Sequence, residues 1–332
     1  MLMRHVADGS CAGACCSMTV RAFGSMFVFS LAATVIFWMT GLTSLIGVGI
    51  LACIISLAAL ASWSPLLSSA AFSLWMTASV AAPIFYPEFF LVWYGFELKR
   101  TVNPFIMFIM FGMGTSLSLG DFKRVLLMPR VVIIGVSLQY TIMPLVGKLV
   151  AMSLASGNTD VAAGVILLGN VPAAATSNVM NYLAGSNVPL SVTMTALTTI
   201  VSPLVTPGLT QLLGGVYVRV DFLAMMISIL TIVVIPVALG VVVNKILTSI
   251  GKMHASLAAV SNRVLRSLPR FTMFAMCAAL AALTAAARGQ LIYGTMVTAI
   301  VLSVIVHTVL SLCLGYWAAR LFRLDEKSCR TM

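Results

Sequence analysis

Hydroxyl side chains recur along the apolar segment 188–213 at intervals of four, three, four and four residues. The five positions are Ser191, Thr195, Thr198, Ser202 and Thr206. An α-helix aligns such positions on one face, because it makes one turn every 3.6 residues. Neutral oxygens are hard ligands that suit an alkali cation and suit zinc or copper poorly. The stripe therefore predicts either a cation site or hydrogen bonds to neighbouring helices.

A proline interrupts the preceding apolar segment, 161–184, near its middle. Pro172 removes a backbone donor and clashes with the carbonyl four residues earlier, so it breaks or kinks a helix. Thr176, Ser177 and Asn178 follow the break with side-chain oxygens. A kinked helix whose hydroxyls bond to their own turn is one interpretation. The neighbouring stripe favours the other, a discontinuous transporter helix whose unwound middle binds an ion.

Gln139 is a third polar element, an amide in the middle of an apolar segment with Pro144 close behind it. On its own, such an amide is typical of hydrogen bonds between packed helices. All eight Asp and Glu residues lie outside the apolar segments. The sequence therefore offers no carboxylate within the membrane for a proton relay or a cation site.

The elements that carry these residues are membrane-spanning helices. Of the 332 residues, 61% are hydrophobic and 8% are charged, and a soluble globule of this size cannot bury so much apolar surface. Backbone groups in lipid must pair within the segment, which predicts an all-α polytopic membrane protein. The predicted spans are 22–40, 42–61, 66–86, 102–119, 131–155, 161–184, 188–213, 222–247, 271–286 and 291–321.

Lys and Arg concentrate in three connections, within 123–130, 245–270 and 320–330. An even number of predicted spans separates these clusters, and basic loops face the cytoplasm. We therefore expect a multi-pass protein of the cell (inner or plasma) membrane with both termini cytoplasmic. The net charge of +11 comes from these short clusters and not from a basic face, so nucleic acid is not an expected partner. The sequence does not predict an oligomeric state.

An intramembrane enzyme and a channel are two further interpretations. Ser303 and His307 share a helix face, but no oxyanion-hole motif surrounds them. The chain contains no H-E-x-x-H motif for a metalloprotease. A channel requires a pore-lining ring, which a single chain does not reveal. The sequence supports both of these interpretations less well than it supports a transporter.

Several motifs together resemble the bile acid:sodium symporter family. The similarity extends from about residue 66 to residue 332. Its motifs are the segments 108–124, 139–144, 177–184, 190–195 and 202–207. The resemblance implies an inverted-repeat fold of ten helices in two five-helix repeats, with a panel domain and a core domain. In that fold, two discontinuous helices cross near the middle of the membrane, one of them the fourth family helix.

The resemblance also implies symport of sodium with an organic anion, such as a bile acid, a sulfated steroid or a pantothenate-like acid. In that family, the positions that match Ser177, Asn178, Ser191 and Thr195 bind one sodium ion. The position that matches Gln139 contributes to a second sodium site. The implied partners are sodium, a small organic anion and membrane lipid, and substrate-binding residues are not assigned.

The sequence departs from the family in two places. The run from Pro172 to Thr176 lacks the family's glycines, which places a small carboxylate such as pantoate beside bile acids as a candidate substrate. The segment 325–332 resembles the loop before the ninth family helix, so we expect a truncated product. The alternative to an active symporter is therefore a truncated fragment of one that does not transport. The expected organisation is residues 1–65 as a tail with an extra transmembrane hairpin, 66–214 as the first repeat, and 221–332 as an incomplete second repeat of three helices.

Overall fold

The architecture comes from a computed structural model that describes most of the chain. The described residues are 23–35, 43–64, 68–93, 96–117, 120, 128–155, 157–174, 177–178, 180–181, 184–217, 219–253, 255–291 and 294–332. Thr176 and the tail before residue 23, both considered above, lie outside them. The chain forms two compact units, Met1–Val102 with Met276–Arg288, and Asn103–Ala275 with Gly289–Met332.

The first unit is built on three apolar helices. They are α1 (Phe23–Val35), α2 (Thr43–Trp63) and α3 (Ser68–Phe85). A short helix α4 (Glu88–Leu91) and two antiparallel two-residue strands, β1 (Val92–Trp93) and β2 (Phe96–Glu97), follow them, with Val92 opposite Glu97. A 3₁₀ turn, Leu98–Thr101, then leads out of this unit.

Polar contacts join the helices of the first unit. The indole Nε1 of Trp75 on α3 donates to the Ser62 hydroxyl on α2 at 3.1 Å. Arg288 donates from Nε to the Ile84 carbonyl at 2.8 Å. That carbonyl is among the last four of α3, which have no partner within their own helix. The arginine therefore satisfies one of the free carbonyls at the end of α3.

The second unit contains the segments that the sequence analysis singles out. Its helices begin with α5 (Val102–Ser116), α6 (Pro129–Leu154), α7 (Thr159–Asn170) and α8 (Val188–Gly214). They continue with α9 (Phe222–Ile229), a π-helical turn (Leu230–Val234) and α10 (Ile235–Met253). The last are α11 (Ala255–Leu291), whose residues 276–288 belong to the first unit, α12 (Gly294–Leu321) and α13 (Glu326–Cys329).

Close packing of α6, α7, α8 and α12 forms the core of the second unit. Ile166 of α7 is fully buried in a cluster with Val150 of α6 and Leu213 of α8. Gly169 brings α7 against the backbone of α6, since a Cβ there would lie 2.5 Å from the Met143 carbonyl oxygen. Even an alanine at residue 169 would therefore push the two helices apart.

The predicted all-α polytopic class is confirmed. Among the described residues, six helices are long and apolar enough to cross a membrane, and three shorter apolar helices accompany them. One expectation was wrong in detail, because the described residues of the basic segment 245–270 are helical rather than a loop. Helix α10 runs to Met253 and α11 begins at Ala255. The division into inverted repeats stays a prediction.

Candidate cation site

The candidate site begins at a break in the polypeptide after α7. Helix α7 ends at Asn170, and Val171 is extended, with φ −77° and ψ 154°. The residue before a proline is pushed into this conformation by the proline ring, so Pro172 ends the helix. Residues 171–174 are not helical, whereas Ser177 and Asn178 are helical again. The break therefore lies where the proline predicts it.

A tight turn then folds the chain back along the broken segment. Gly185 has a positive φ of 65°, and the amide of Ser186 donates to the Asn181 carbonyl at 2.9 Å. This is a Schellman ending, in which glycine takes the left-handed conformation that other residues avoid. Helix α8 starts two residues later, capped by the Asn187 side chain, which accepts from the Leu190 amide at 3.2 Å. The short connection places the start of α8 beside Asn178 and Asn181.

Asn178 is the centre of a cluster of neutral oxygens. Its Oδ1 accepts hydrogen bonds from the Ser191 hydroxyl at 2.6 Å and from the Thr195 hydroxyl at 3.3 Å. The Asn181 amide donates to Ser191 Oγ at 2.9 Å. Ser191 is 3% exposed and Thr195 is 1% exposed. Three of the five residues assigned to sodium by resemblance thus converge in one cluster, in which Ser191 and Thr195 are buried and Asn178 is half-buried.

Ser177 and Gln139 lie outside this hydrogen-bonded cluster. Ser177 is half-buried, and its hydroxyl donates to the Ala174 carbonyl of its own turn at 2.7 Å. Gln139 is half-buried on α6, and no hydrogen bond joins it to Asn178 or Ser191 among the described residues. Its neighbour Tyr140 reaches α8, where its hydroxyl donates to the Thr198 carbonyl at 2.8 Å.

The rest of the hydroxyl stripe stabilises the broken backbone. The Thr198 hydroxyl accepts from the Ala173 amide, which the break leaves without a helical partner, at 3.4 Å. The Thr206 hydroxyl donates to the Asn170 carbonyl at the end of α7, at 2.8 Å. Ser202 donates to the Thr199 carbonyl of its own helix. Hydrogen bonds between segments therefore account for the later part of the stripe, and the cation site at its start stays a prediction.

Sequence reasoning missed three polar residues of this region: Asn181, Asn170 and Thr210. Asn181 stands three residues after Asn178, a spacing that places both on one helix face. Thr210 continues the stripe four residues after Thr206. Its hydroxyl accepts from the buried Asn170 amide at 3.1 Å. Helical spacing counted on from Asn178 would have found Asn181, and the same spacing counted on from Thr206 would have found Thr210.

The donor set of the cluster fits an alkali cation better than a transition metal. Amide and hydroxyl oxygens are hard, neutral ligands. Within the described part of the chain, no three His, Cys, Asp or Glu residues come together as a metal site. The cluster therefore offers the neutral oxygen ligands that an alkali cation prefers.

The fold defines the class of the protein as a polytopic membrane protein, and its broken, polar helix is typical of transporters. The sequence model of the Sodium Bile acid symporter family matches residues 103–294. A sodium-dependent transporter of Bacillus subtilis, YocS, is 33% identical over 261 residues, which cover 77% of this chain and 74% of that protein. The chain belongs to the sodium bile acid symporter family.

Plant chloroplast proteins are also similar to this chain. The rice probable sodium/metabolite cotransporter BASS1 is 40% identical over 177 residues, covering 53% of this chain and 42% of that protein. The BASS1 protein of Arabidopsis thaliana is 40% identical over 136 residues, or 41% of this chain and 34% of that protein. The chain thus spans under half the length of these plant relatives. The family consists of transporters, in agreement with the expectation that the chain is not an enzyme.

Proposed function

We propose that the protein is a sodium-coupled symporter of an organic anion. The observation that carries this proposal is the convergence of the Asn178, Ser191 and Thr195 oxygens where the broken helix meets α8. Family membership and the names of the relatives, which refer to sodium-dependent or sodium/metabolite transport, support it.

The hydrogen bonds of the cluster suggest how a sodium ion would enter it. Thr195 also donates to the Ser191 carbonyl at 3.0 Å, so its hydroxyl can keep that bond and turn a lone pair to the ion. The Ser191 proton must leave Asn178 Oδ1, because two oxygens that bind one cation cannot also share a proton. The carbonyl of Asn187, four residues earlier, is the acceptor that a helical serine can reach. Sodium and the Ser191–Asn178 hydrogen bond are then alternatives.

This exchange provides the coupling. Without sodium, the hydrogen bond joins the broken segment to α8, and with sodium the ion joins them in a different geometry. A ligand can shift a conformational equilibrium only by its differential affinity for the two states. We propose that Ser177 adds an oxygen when its turn rearranges, and that Gln139 on α6 belongs to a second sodium site. The anion would be a bile-acid-like molecule or a small carboxylate such as pantoate.

We further propose that the protein lies in the plasma or inner membrane with both termini cytoplasmic. The basic segments 245–270 and 320–330 support this orientation, since positively charged connections stay on the cytoplasmic side.

Two measurements on the purified chain test the proposal. The melting temperature in detergent is followed as sodium chloride replaces choline chloride at constant ionic strength. We expect it to rise with sodium, since a ligand that binds only the native state stabilises it. Uptake of radiolabelled taurocholate or pantoate into proteoliposomes is then measured with and without an inward sodium gradient. Uptake that is the same with and without the sodium gradient would refute the coupling. A melting temperature that does not change with sodium would refute the ion site.

A further inference from the structure

The segment 325–332 folds back onto the helices that carry the candidate site. It contains α13, whose first turn is capped by Asp325, as the side chain accepts from the Ser328 amide at 3.2 Å. Hydrogen bonding to Ser328 also lowers the pKa of the Asp325 carboxyl below its ordinary value. Ser328 and Cys329 are buried, so the segment is packed against its own unit and is not an exposed tail.

Thr331 accepts a hydrogen bond from Asn187, the residue that caps the start of α8. The Asn187 amide donates to Thr331 Oγ1 at 3.1 Å and to the Lys327 carbonyl at 3.3 Å. The Thr331 hydroxyl itself donates to the Lys327 carbonyl at 2.8 Å, which leaves its lone pairs to face Asn187. The Ser191 amide in turn donates to the Asn187 carbonyl at 3.0 Å. Thr331 is therefore one helical turn away from a central residue of the cation cluster.

Met332 makes the second contact, with apolar side chains on both flanking helices. It packs against the buried cluster of Val132, Leu190 and Met194. Its Sδ and the Cε of Met194 both lie 2.7 Å from where a Cβ of Gly135 would be. Leu190 and Met194 are the residues that immediately precede Ser191 and Thr195. The methionine thus supports the turn that positions both hydroxyls.

The remaining contacts of the segment are weaker. Glu326 pairs with Arg330 at 3.1 Å and with Arg320 of α12 at 4.0 Å. These side chains are about half exposed, and ion pairs in that environment contribute little to stability. The side-chain effect of the segment on α8 therefore depends on Thr331 and Met332, beside the backbone contact from the Lys327 carbonyl to Asn187.

We propose that 325–332 is a positioning segment of the candidate cation site, in which Thr331 and Met332 set the sodium affinity by fixing the first turn of α8. This inference rests on the proposed function, because it assumes that Ser191 and Thr195 bind sodium. Ligands bind a cation best when their supporting contacts hold them in the binding geometry before the ion arrives. A looser first turn must be ordered at the moment of binding, which weakens the affinity.

Paired substitutions test the role of each side chain. Thr331→Val keeps the shape but removes the acceptor, whereas Thr331→Ser retains it. Met332→Ala removes the packing atoms, whereas Met332→Leu keeps most of them. Thr308→Val is the matched control, since Thr308 is exposed on α12 and donates only to the Val304 carbonyl of its own turn.

Two readouts on the full chain separate positioning from general stability. The first is the sodium concentration at half of the maximal thermal stabilisation. Thr331→Val should raise it about fivefold, the factor for losing a hydrogen bond of about 1 kcal/mol. Met332→Ala should raise this sodium concentration as well. Thr331→Ser, Met332→Leu and the control Thr308→Val should keep the native value. The second is hydrogen exchange at the Leu190 and Ser191 amides, which should accelerate only in Thr331→Val and Met332→Ala.

The outcomes distinguish the inference from the function on which it rests. Native half-saturation and native exchange in Thr331→Val and Met332→Ala would overturn the positioning role, even if both variants melt earlier. A native chain that sodium does not stabilise would refute the proposed function and the affinity claim together. Hydrogen exchange would then still decide whether the segment fixes the first turn of α8.

Discussion

Replacing Asn178 by alanine is the sharpest test of the cation site. The substitution removes the one oxygen that both the Ser191 and Thr195 hydroxyls approach, at 2.6 and 3.3 Å. Without sodium, Thr195 keeps its bond to the Ser191 carbonyl. The Ser191 hydroxyl can turn to the carbonyl four residues earlier. The loss of stability without sodium should therefore be close to that of one hydrogen bond, about 1 kcal/mol.

The loss should be larger when sodium is present. The variant then lacks a ligand to an ion, and hydrogen bonds to charged groups are worth about 1.5–3 kcal/mol. If an oxygen ligand contributes similarly, the affinity for sodium changes by the difference between the two losses, about 0.5–2 kcal/mol. The sodium concentration for half-maximal stabilisation should therefore rise about 2- to 30-fold, since each 1.4 kcal/mol is a factor of about ten. Sodium-dependent uptake should disappear at ordinary sodium concentrations, while insertion into the membrane stays intact.

The assay compares thermal unfolding at a series of sodium concentrations with uptake by proteoliposomes. Asn244→Ala serves as the matched control, because the Asn244 amide donates at 2.8 Å to the Leu117 carbonyl and takes no part in the cluster. It should melt earlier than the native chain and keep the native sodium dependence. An Asn178→Ala variant with native half-saturation and native uptake would show that the cation binds elsewhere.

Two further predictions concern topology and the first unit. For the topology, the native cysteines are replaced and a cysteine is placed at Ser261, within the basic segment 245–270. This cysteine should stay unlabelled by an impermeant thiol reagent in intact cells and react after permeabilisation. Labelling of intact cells would reverse the proposed orientation. Arg288→Met should lower stability by about 1–3 kcal/mol, because it removes a charged donor from the Ile84 carbonyl, whereas Arg219→Met, at an exposed arginine, should change the melting temperature little.

The sequence predicted the class of fold because the determinants of that class are local. A chain in which 61% of residues are hydrophobic must have a membrane to cover its surface, and lipid requires helices. The break after Asn170 was predictable for the same reason, since a proline restricts the residue before it whatever the surroundings. The basic segment 245–270 was misjudged as a loop because charge indicates the side of the membrane and not the backbone conformation.

The hydroxyl stripe marks the limit of local reasoning about the site. Helical spacing showed that Ser191, Thr195, Thr198 and Thr206 share a face, but hydroxyl side chains on one face can have different partners. The turn at Gly185 decides that Ser191 and Thr195 meet Asn178. Packing against the end of α7 decides that Thr206 meets the Asn170 carbonyl.

The contact between Thr331 and Asn187 joins residues 144 positions apart, and nothing in either local sequence indicates it. Each residue by itself is an ordinary polar position near a helix end. Their pairing follows from how α12 returns the chain to α6 and α8, which depends on side chains distributed over the whole second unit. The sequence by itself therefore determined the membrane helices, the break and the candidate oxygens. Only the tertiary structure decided which oxygens converge and what holds them there, because long-range contacts depend on packing and not on local preference.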